Sequence, residues 1–286
     1  MNLLICTDGS QDSLQAAEFL RLLHLPPDMA ATMLAVADSS RRAERLQACL
    51  SEMQQMLEAQ GFHPERLLRR GHLSKEILEQ AEAGHYDLVA IGAPERQGLM
   101  RNRLTSTASD LSDRLRAPLL IARHVPPRLG RVLICTSAER PARETMRRGG
   151  ALVSLLGAPA TLVHVMSQMA LDVHSPQEDL ILTAEQAIAR GTQEGKHLVE
   201  ATRWLREAGM AAEITPRLRH GLVVEEILGE LEDPEFGLLV LGAHSAAGRG
   251  RLLEALLDDI TEQLIATSPC SVLVVWHDPQ VHAADL

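Results

Sequence analysis

The chain repeats itself at two fixed offsets, and this constrains its architecture more than any other feature. Leu4-Ile5-Cys6-Thr7 returns as Leu133-Ile134-Cys135-Thr136, and the run from Thr32 to Val36 returns as Thr161 to Val165, both at an offset of 129. From Gly71 onward the offset is 150. Gly71, Glu76-Ile77-Leu78, Leu88, Gly92-Ala93, Gly98 and Arg101 match Gly221, Glu226-Ile227-Leu228, Leu238, Gly242-Ala243, Gly248 and Arg251. Two tandem copies of one unit follow, with domains expected at 1–125 and 130–278. The second copy carries 150 − 129 = 21 extra residues between its second and third strands.

Each copy alternates strands and helices. The first reads as strands near 2–7, 32–37, 65–70, 87–91 and 118–123, with helices near 11–23, 41–60, 73–83 and 106–116. The strands are short unbroken apolar runs, such as Leu88-Val-Ala-Ile91 and Val272-Leu-Val-Val275. Such runs suit strands buried on both faces, and alternation with helices makes a parallel, doubly wound α/β sheet the natural solution. Only 2% of residues are aromatic, so the core must be aliphatic. Between the copies, His124-Val-Pro-Pro-Arg-Leu-Gly130 reads as a short, stiff linker. The extra residues predict a helical insertion around 176–209, started by a capping box at Ser175-Pro176-Gln177-Glu178 and bent at Gly191 and Gly195.

Composition narrows the function classes. A net charge of −10 argues against a nucleic-acid backbone as partner. No apolar run approaches the ~20 residues of a membrane helix, and the N-terminal residues do not read as a signal peptide. Cys6, Cys49, Cys135 and Cys270 form no C-x-x-C pair and read as free thiols of a cytoplasmic protein. Twelve histidines include no pair at metal-ligand spacing; His164 reads as a core histidine, and His72, His220 and His244 fall at strand ends. No metal is expected. Nor is there a Walker-type loop, a nucleophile elbow or a nucleophile with a neighbouring base, so catalysis is not indicated.

In an open α/β sheet, ligands bind beyond the carboxyl ends of the strands where the strand order reverses. Two segments of the first copy reach that edge, Thr7-Asp8-Gly9-Ser10 and the loop from Gly92 through Gly98 to Thr105-Ser106-Thr107. The run from Leu3 to Ser10 resembles the opening of universal stress protein domains. The Gly92 loop is similar to that family's phosphate loop, whose pattern is Gly, two residues, Gly, nine residues, Gly, then Ser or Thr. The resemblance covers both copies and extends to two-domain members. It implies a flavodoxin-like sheet of order 3-2-1-4-5 and, in some members, ATP at the switch point. The Asp after strand 1 then holds the adenosine part and the glycine loop the phosphates. On this sequence the implied nucleotide-binding set is Thr7, Asp8, Val36, Gly92, Gly98, Ser106 and Thr107, with Gly242, Gly248 and Gly250 as second-copy equivalents.

Both copies depart from the pattern. Glu95 stands at the second glycine of the first loop, where a carboxylate repels phosphate, and Ser137 stands where the first copy has Asp8. Thr107-Ala-Ser-Asp110 also reads as a capping box, so the hydroxyls serve either the helix start or a phosphate. The reading is a cytoplasmic tandem binding or signalling module for stress response, with an adenine nucleotide (ATP or AMP) in the first copy. The alternatives are an interaction scaffold with decayed sites and a weak ATPase. The last strands, Leu119–Ile121 and Val272–Trp276, are apolar edges expected to pair as an internal pseudo-dimer, with a homodimer as a further option.

Overall fold

Apolar runs flanked by amphipathic segments become strands covered on both faces, and the helices between them supply the cover. The computed structural model describes residues 1–25, 29–37, 40–93, 101–137, 142–167, 182–243 and 260–276. The first copy gives β1 (Asn2–Thr7), a 3-10 turn (Gln11–Ser13), α1 (Leu14–Leu20), β2 (Ala30–Ala37), α2 (Ser40–Glu58), β3 (Glu65–Arg70), α3 (Leu73–Gly84), β4 (Leu88–Gly92), α4 (Arg101–Arg114) and β5 (Leu119–Ala122). The second gives β6 (Arg131–Thr136), α5 (Ala142–Ser154), β7 (Ala160–Ser167), α6 (Ala184–Arg190), α7 (Gln193–Glu207), β8 (Ile214–Gly221), α8 (Val223–Glu230), β9 (Phe236–Ala243) and β10 (Ser271–Trp276). Two compact units result, Met1–Arg128 joined by Pro269–Trp276, and Leu129–Ser268.

In the first unit the strands run β3-β2-β1-β4-β5-β10. The first five are parallel, in the order 3-2-1-4-5. Right-handed crossovers place α1 and α2 on one face and α3 and α4 on the other, and the helices pack in those pairs. Leu4, Ile5, Met33 and Leu34 are fully buried between the layers, each contributing about 1.5–3 kcal/mol through burial.

β10 runs antiparallel to β5, with Val272 opposite Ile121 and Val274 opposite Leu119. Every residue of both strands is buried. An apolar strand left on an edge would invite aggregation, and this pairing removes it. Ser271 extends the ladder, its Oγ donating to the Arg123 carbonyl at 2.9 Å and accepting the Arg123 N–H at 3.1 Å. The linker lies back on its own unit: Val125 N–H donates to Gln15 Oε1 at 3.3 Å and Arg21 Nη1 to the Pro127 carbonyl at 3.4 Å.

The second unit has parallel strands in the order β9-β6-β7-β8. Its insertion is a broken helix pair across 184–207, α6 packed on α7. The break is at Gly191, whose left-handed backbone (φ +65°) ends α6. Gly195 is no second break. It lies in the first turn of α7, where a Cβ would stand 2.2 Å from the Ala187 carbonyl oxygen, so its bareness allows the two helices to touch. The start of α6 is a capping box formed by Thr183 and Gln186; the one expected at Ser175 lies outside the described residues.

A second boundary also moved. α4 begins at Arg101, so Ser106 and Thr107 sit inside the helix rather than at its start. Of the two roles open to these hydroxyls, capping is thereby excluded, because an N-cap must precede the first helical turn.

Candidate functional site

The switch point lies between β1 and β4, where the chain order turns from leftward to rightward. Cys6 is level with Leu34 on one side and Ile91 on the other, so Thr7, Ala35 and Gly92 share the carboxyl edge of the sheet. Val36 lies one residue further along β2 and is buried.

Thr7 is buried, and its hydroxyl organises the corner. The Ser13 hydroxyl donates to the Ser10 carbonyl at 2.6 Å, which commits its only proton. Thr7 Oγ1 therefore donates to Ser13 Oγ, also at 2.6 Å, while accepting the Gly9 N–H at 3.0 Å. The Cys49 thiol approaches Thr7 Oγ1 at 3.3 Å from α2. This small network ties the end of β1 to the 3-10 turn and to α2.

Asp8 leaves the sheet at a turn that its own side chain shapes, Oδ1 accepting the Ser10 N–H at 2.9 Å. Gly9 follows in the left-handed region (φ +78°), a conformation that glycine adopts without strain. Gly92 is a glycine for a different reason. A Cβ there would lie 2.0 Å from the Asp12 carbonyl oxygen and 2.6 Å from Ser13 Cα. The end of β4 thus passes hard against the backbone that follows Asp8, and the structure brings Thr7, Asp8 and Gly92 into one corner. Thr107 is buried in the second turn of α4. Ser106 lies beside it in the same helix; its side chain, like Gly98 and Glu95, is outside the described residues.

The second copy builds the same corner with other chemistry. Thr136 ends β6 as Thr7 ends β1, but its partners are two histidines. His164 Nδ1 donates to the Thr136 carbonyl at 3.0 Å, and His197 Nε2 meets Thr136 Oγ1 at 3.0 Å. The two rings stand edge to face, 5.1 Å between centroids. Burial pushes both imidazoles down, His197 to about 4 with His164 beside it adding to the shift, so the pair is neutral near pH 7. His164 is thus a hydrogen-bonded core histidine. Ser137 replaces Asp8, and the atoms nearest a Cβ on Gly242 would be those of the Thr145 side chain, the first two at 3.1–3.2 Å. Gly248, Gly250 and His244 lie outside the described residues.

Ser13, Cys49 and His197 were not singled out from sequence. Cys49 and His197 are separated by 197 − 49 = 148, in the stretch where the repeat changes register, so neither constant offset pairs them. Among the described residues no cluster of His, Cys, Asp or Glu could hold a metal ion, and no helix is long and apolar enough to cross a membrane.

A model of the universal stress protein family matches residues 1–123 and again 129–275. A universal stress protein from Archaeoglobus fulgidus has the same fold at 17% identity and TM-score 0.65, covering 98% of this chain and 97% of its own. A functionally unknown protein from Pseudomonas aeruginosa matches at 16% identity and TM-score 0.65, over 99% of this chain and 94% of its own. No curated protein matches the sequence.

Proposed function

The chain belongs to the universal stress protein family, and on that premise we propose that it is a non-catalytic tandem binding and signalling module that takes ATP or AMP in its first copy. Its domains are 1–125 and 130–278, and its four cysteines, none of them in a disulfide, suit a reducing cytoplasm. The nucleotide lies between the Asp8 turn and the segment from Gly92 to Thr107. Asp8 accepts a ribose or adenine donor, and the phosphates approach the first turn of α4, where unpaired backbone N–H groups and the helix dipole favour anions. The observation that carries this reading is the packing of Gly92 against the chain just after Asp8, which sets an acidic acceptor at the switch point. In the second copy Ser137 offers a shorter, neutral group there. The pairing of β5 with β10 supports the association of the last strands expected from the sequence.

One observation favours the rival scaffold reading. The Thr7 hydroxyl and the bareness of Gly92 are both used by packing, so the fold alone accounts for them. Calorimetric titration with ATP separates the two. A charge-assisted hydrogen bond to Asp8 contributes about 1.5–3 kcal/mol, so Asp8→Ala weakens binding by roughly ten- to a hundredfold and Ser137→Ala leaves it unchanged. A parent protein that takes no nucleotide establishes the scaffold. A loss in Ser137→Ala with none in Asp8→Ala would move the site to the second copy.

A further inference from the structure

β3 and β8 are equivalent strands, each bordering its sheet beyond β2 or β7, and at the 150-residue offset the outer two of three alternate positions differ while the middle leucine is kept. Arg66, Leu68 and Arg70 in β3 correspond to Pro216, Leu218 and His220 in β8. The Gly71 N–H donates to the Ala37 carbonyl. In a parallel ladder the N–H and C=O of one residue point the same way and successive residues alternate. Arg69 and Gly71 therefore face β2, while Arg66, Leu68 and Arg70 turn their backbone groups outward from the sheet. Period-two alternation also puts these three side chains on one face, opposite the face where Arg69 meets Glu76 and Gln80 of α3.

In the second unit this edge is closed. Pro216 has no N–H to offer at the first position. Leu218 is 8% exposed, and His220 Nε2 meets the Leu182 carbonyl at 3.1 Å, just ahead of α6, which packs on β8. In the first unit it is open. Leu68 is 48% exposed, and Arg66 and Arg70 flank it without an ion-pair or hydrogen-bond partner among the described residues. Two unpartnered cations around an exposed leucine, on the open edge of a chain with net charge −10, form a local field opposite in sign to the whole.

We propose that the β3 edge is a docking site for an extended acidic segment of a partner protein, added to the sheet as a further strand. Residues directly opposite across a ladder share a face, so the segment carries an acid, any residue, an apolar residue, any residue, and an acid, set against Arg66, Leu68 and Arg70. The backbone groups of these three residues supply the rungs, and the alternate side chains supply selectivity. A second copy of this chain fits less well. Antiparallel self-pairing about Leu68 sets Arg66 of each copy directly against Arg70 of the other, and like charges directly opposite are destabilising.

The test uses the full chain and a fluorescein-labelled ten-residue peptide containing Glu-Thr-Val-Thr-Glu, with Lys-Thr-Val-Thr-Lys as control. The acidic peptide binds in anisotropy titrations and slows amide exchange at Arg66, Leu68 and Arg70, whereas the basic one does neither. Arg66→Pro, a change β8 already accommodates at its equivalent site, weakens binding about tenfold or more. Arg66→Ala with Arg70→Ala does the same while leaving every backbone donor in place, which separates charge from rungs. The proposal is overturned if neither peptide binds, if both bind equally, or if Arg66→Pro binds like the parent. It is likewise overturned if sedimentation finds a dimer of the parent that Arg66→Pro dissolves, since the edge would then be occupied by a second copy.

Discussion

The corner after β1 and its counterpart after β6 begin with the same residue and solve the same problem differently. Thr7 and Thr136 each end a central strand with a buried hydroxyl that needs partners. In the first copy a serine, a thiol and a backbone N–H provide them; in the second, His197 does, while His164 beside it donates to the Thr136 carbonyl. The repeated threonine is therefore a requirement of the fold. What differs between the copies is the next residue, Asp8 or Ser137, and Asp8 also accepts the Ser10 N–H that shapes its turn. Identity between the two fused copies marks architecture here.

The glycines at the ends of β4 and β9 give the largest expected contrast. A methyl group on Gly92 meets main-chain atoms of Asp12 and Ser13 at 2.0 and 2.6 Å, and neither can move without shifting the turn that holds Asp8. A methyl group on Gly242 comes nearest to side-chain atoms of Thr145, at 3.1–3.2 Å, so a yield of a few tenths of an ångström suffices there. Gly92→Ala should lose about 3 kcal/mol of stability and Gly242→Ala under about 1 kcal/mol, read from urea unfolding. Similar losses at both sites would mean that the two corners are packed alike, and the steric reading of Gly92 would fail.

The histidine pair should make the second unit acid-sensitive. His197 titrates at about 4 in the fold and near the ordinary ~6.5 when unfolded, so the unfolded chain binds more protons in between. Stability should therefore fall as pH drops from about 6.5 to about 4, by about 2 kcal/mol once solvent screening is allowed for. His197→Gln removes this titration while keeping a group able to meet Thr136 Oγ1. Its stability should vary less across that window, as followed by urea midpoints at stepped pH. A variant as acid-sensitive as the parent would clear His197 of the effect.

How much of this could be read from the sequence depends on what each feature is made of. The strand positions were legible because unbroken runs such as Leu88–Ile91 have few other uses, and the repeat states the pattern twice, whereas the strand order came only with the family resemblance. The start of α4 was not, because Arg101-Asn102-Arg103 shows no apolar period and Thr107-Ala-Ser-Asp110 imitates a cap from inside the helix. Gly92 was visible as a glycine, but its cause is a contact with Asp12, eighty residues away in sequence (92 − 12 = 80). The difference between Arg66 and Pro216 was also on the page, yet it acquires meaning only once both strands are known to border their sheets.

The smallest expected effect concerns how the second copy closes its edge. Thr183 Oγ1 accepts the Gln186 N–H at 3.3 Å, and Gln186 Oε1 accepts the Thr183 N–H at 3.0 Å. This capping box begins α6 one residue after Leu182, whose carbonyl meets His220 on β8. Removing the cap costs about 1 kcal/mol, and α6 has only 7 residues over which to absorb the loss. The cost should appear as local opening rather than global unfolding, because a short surface helix can fray while the sheet holds. Thr183→Ala should therefore speed amide exchange in α6 and at the outward-facing positions of β8 roughly fivefold, with little change at β6 and β7. Exchange on β3 should not respond, since no equivalent helix lies over it among the described residues. Unchanged exchange along β8 would mean that α6 does not protect that edge, and the contrast between a closed β8 and an open β3 would then rest on Pro216 alone.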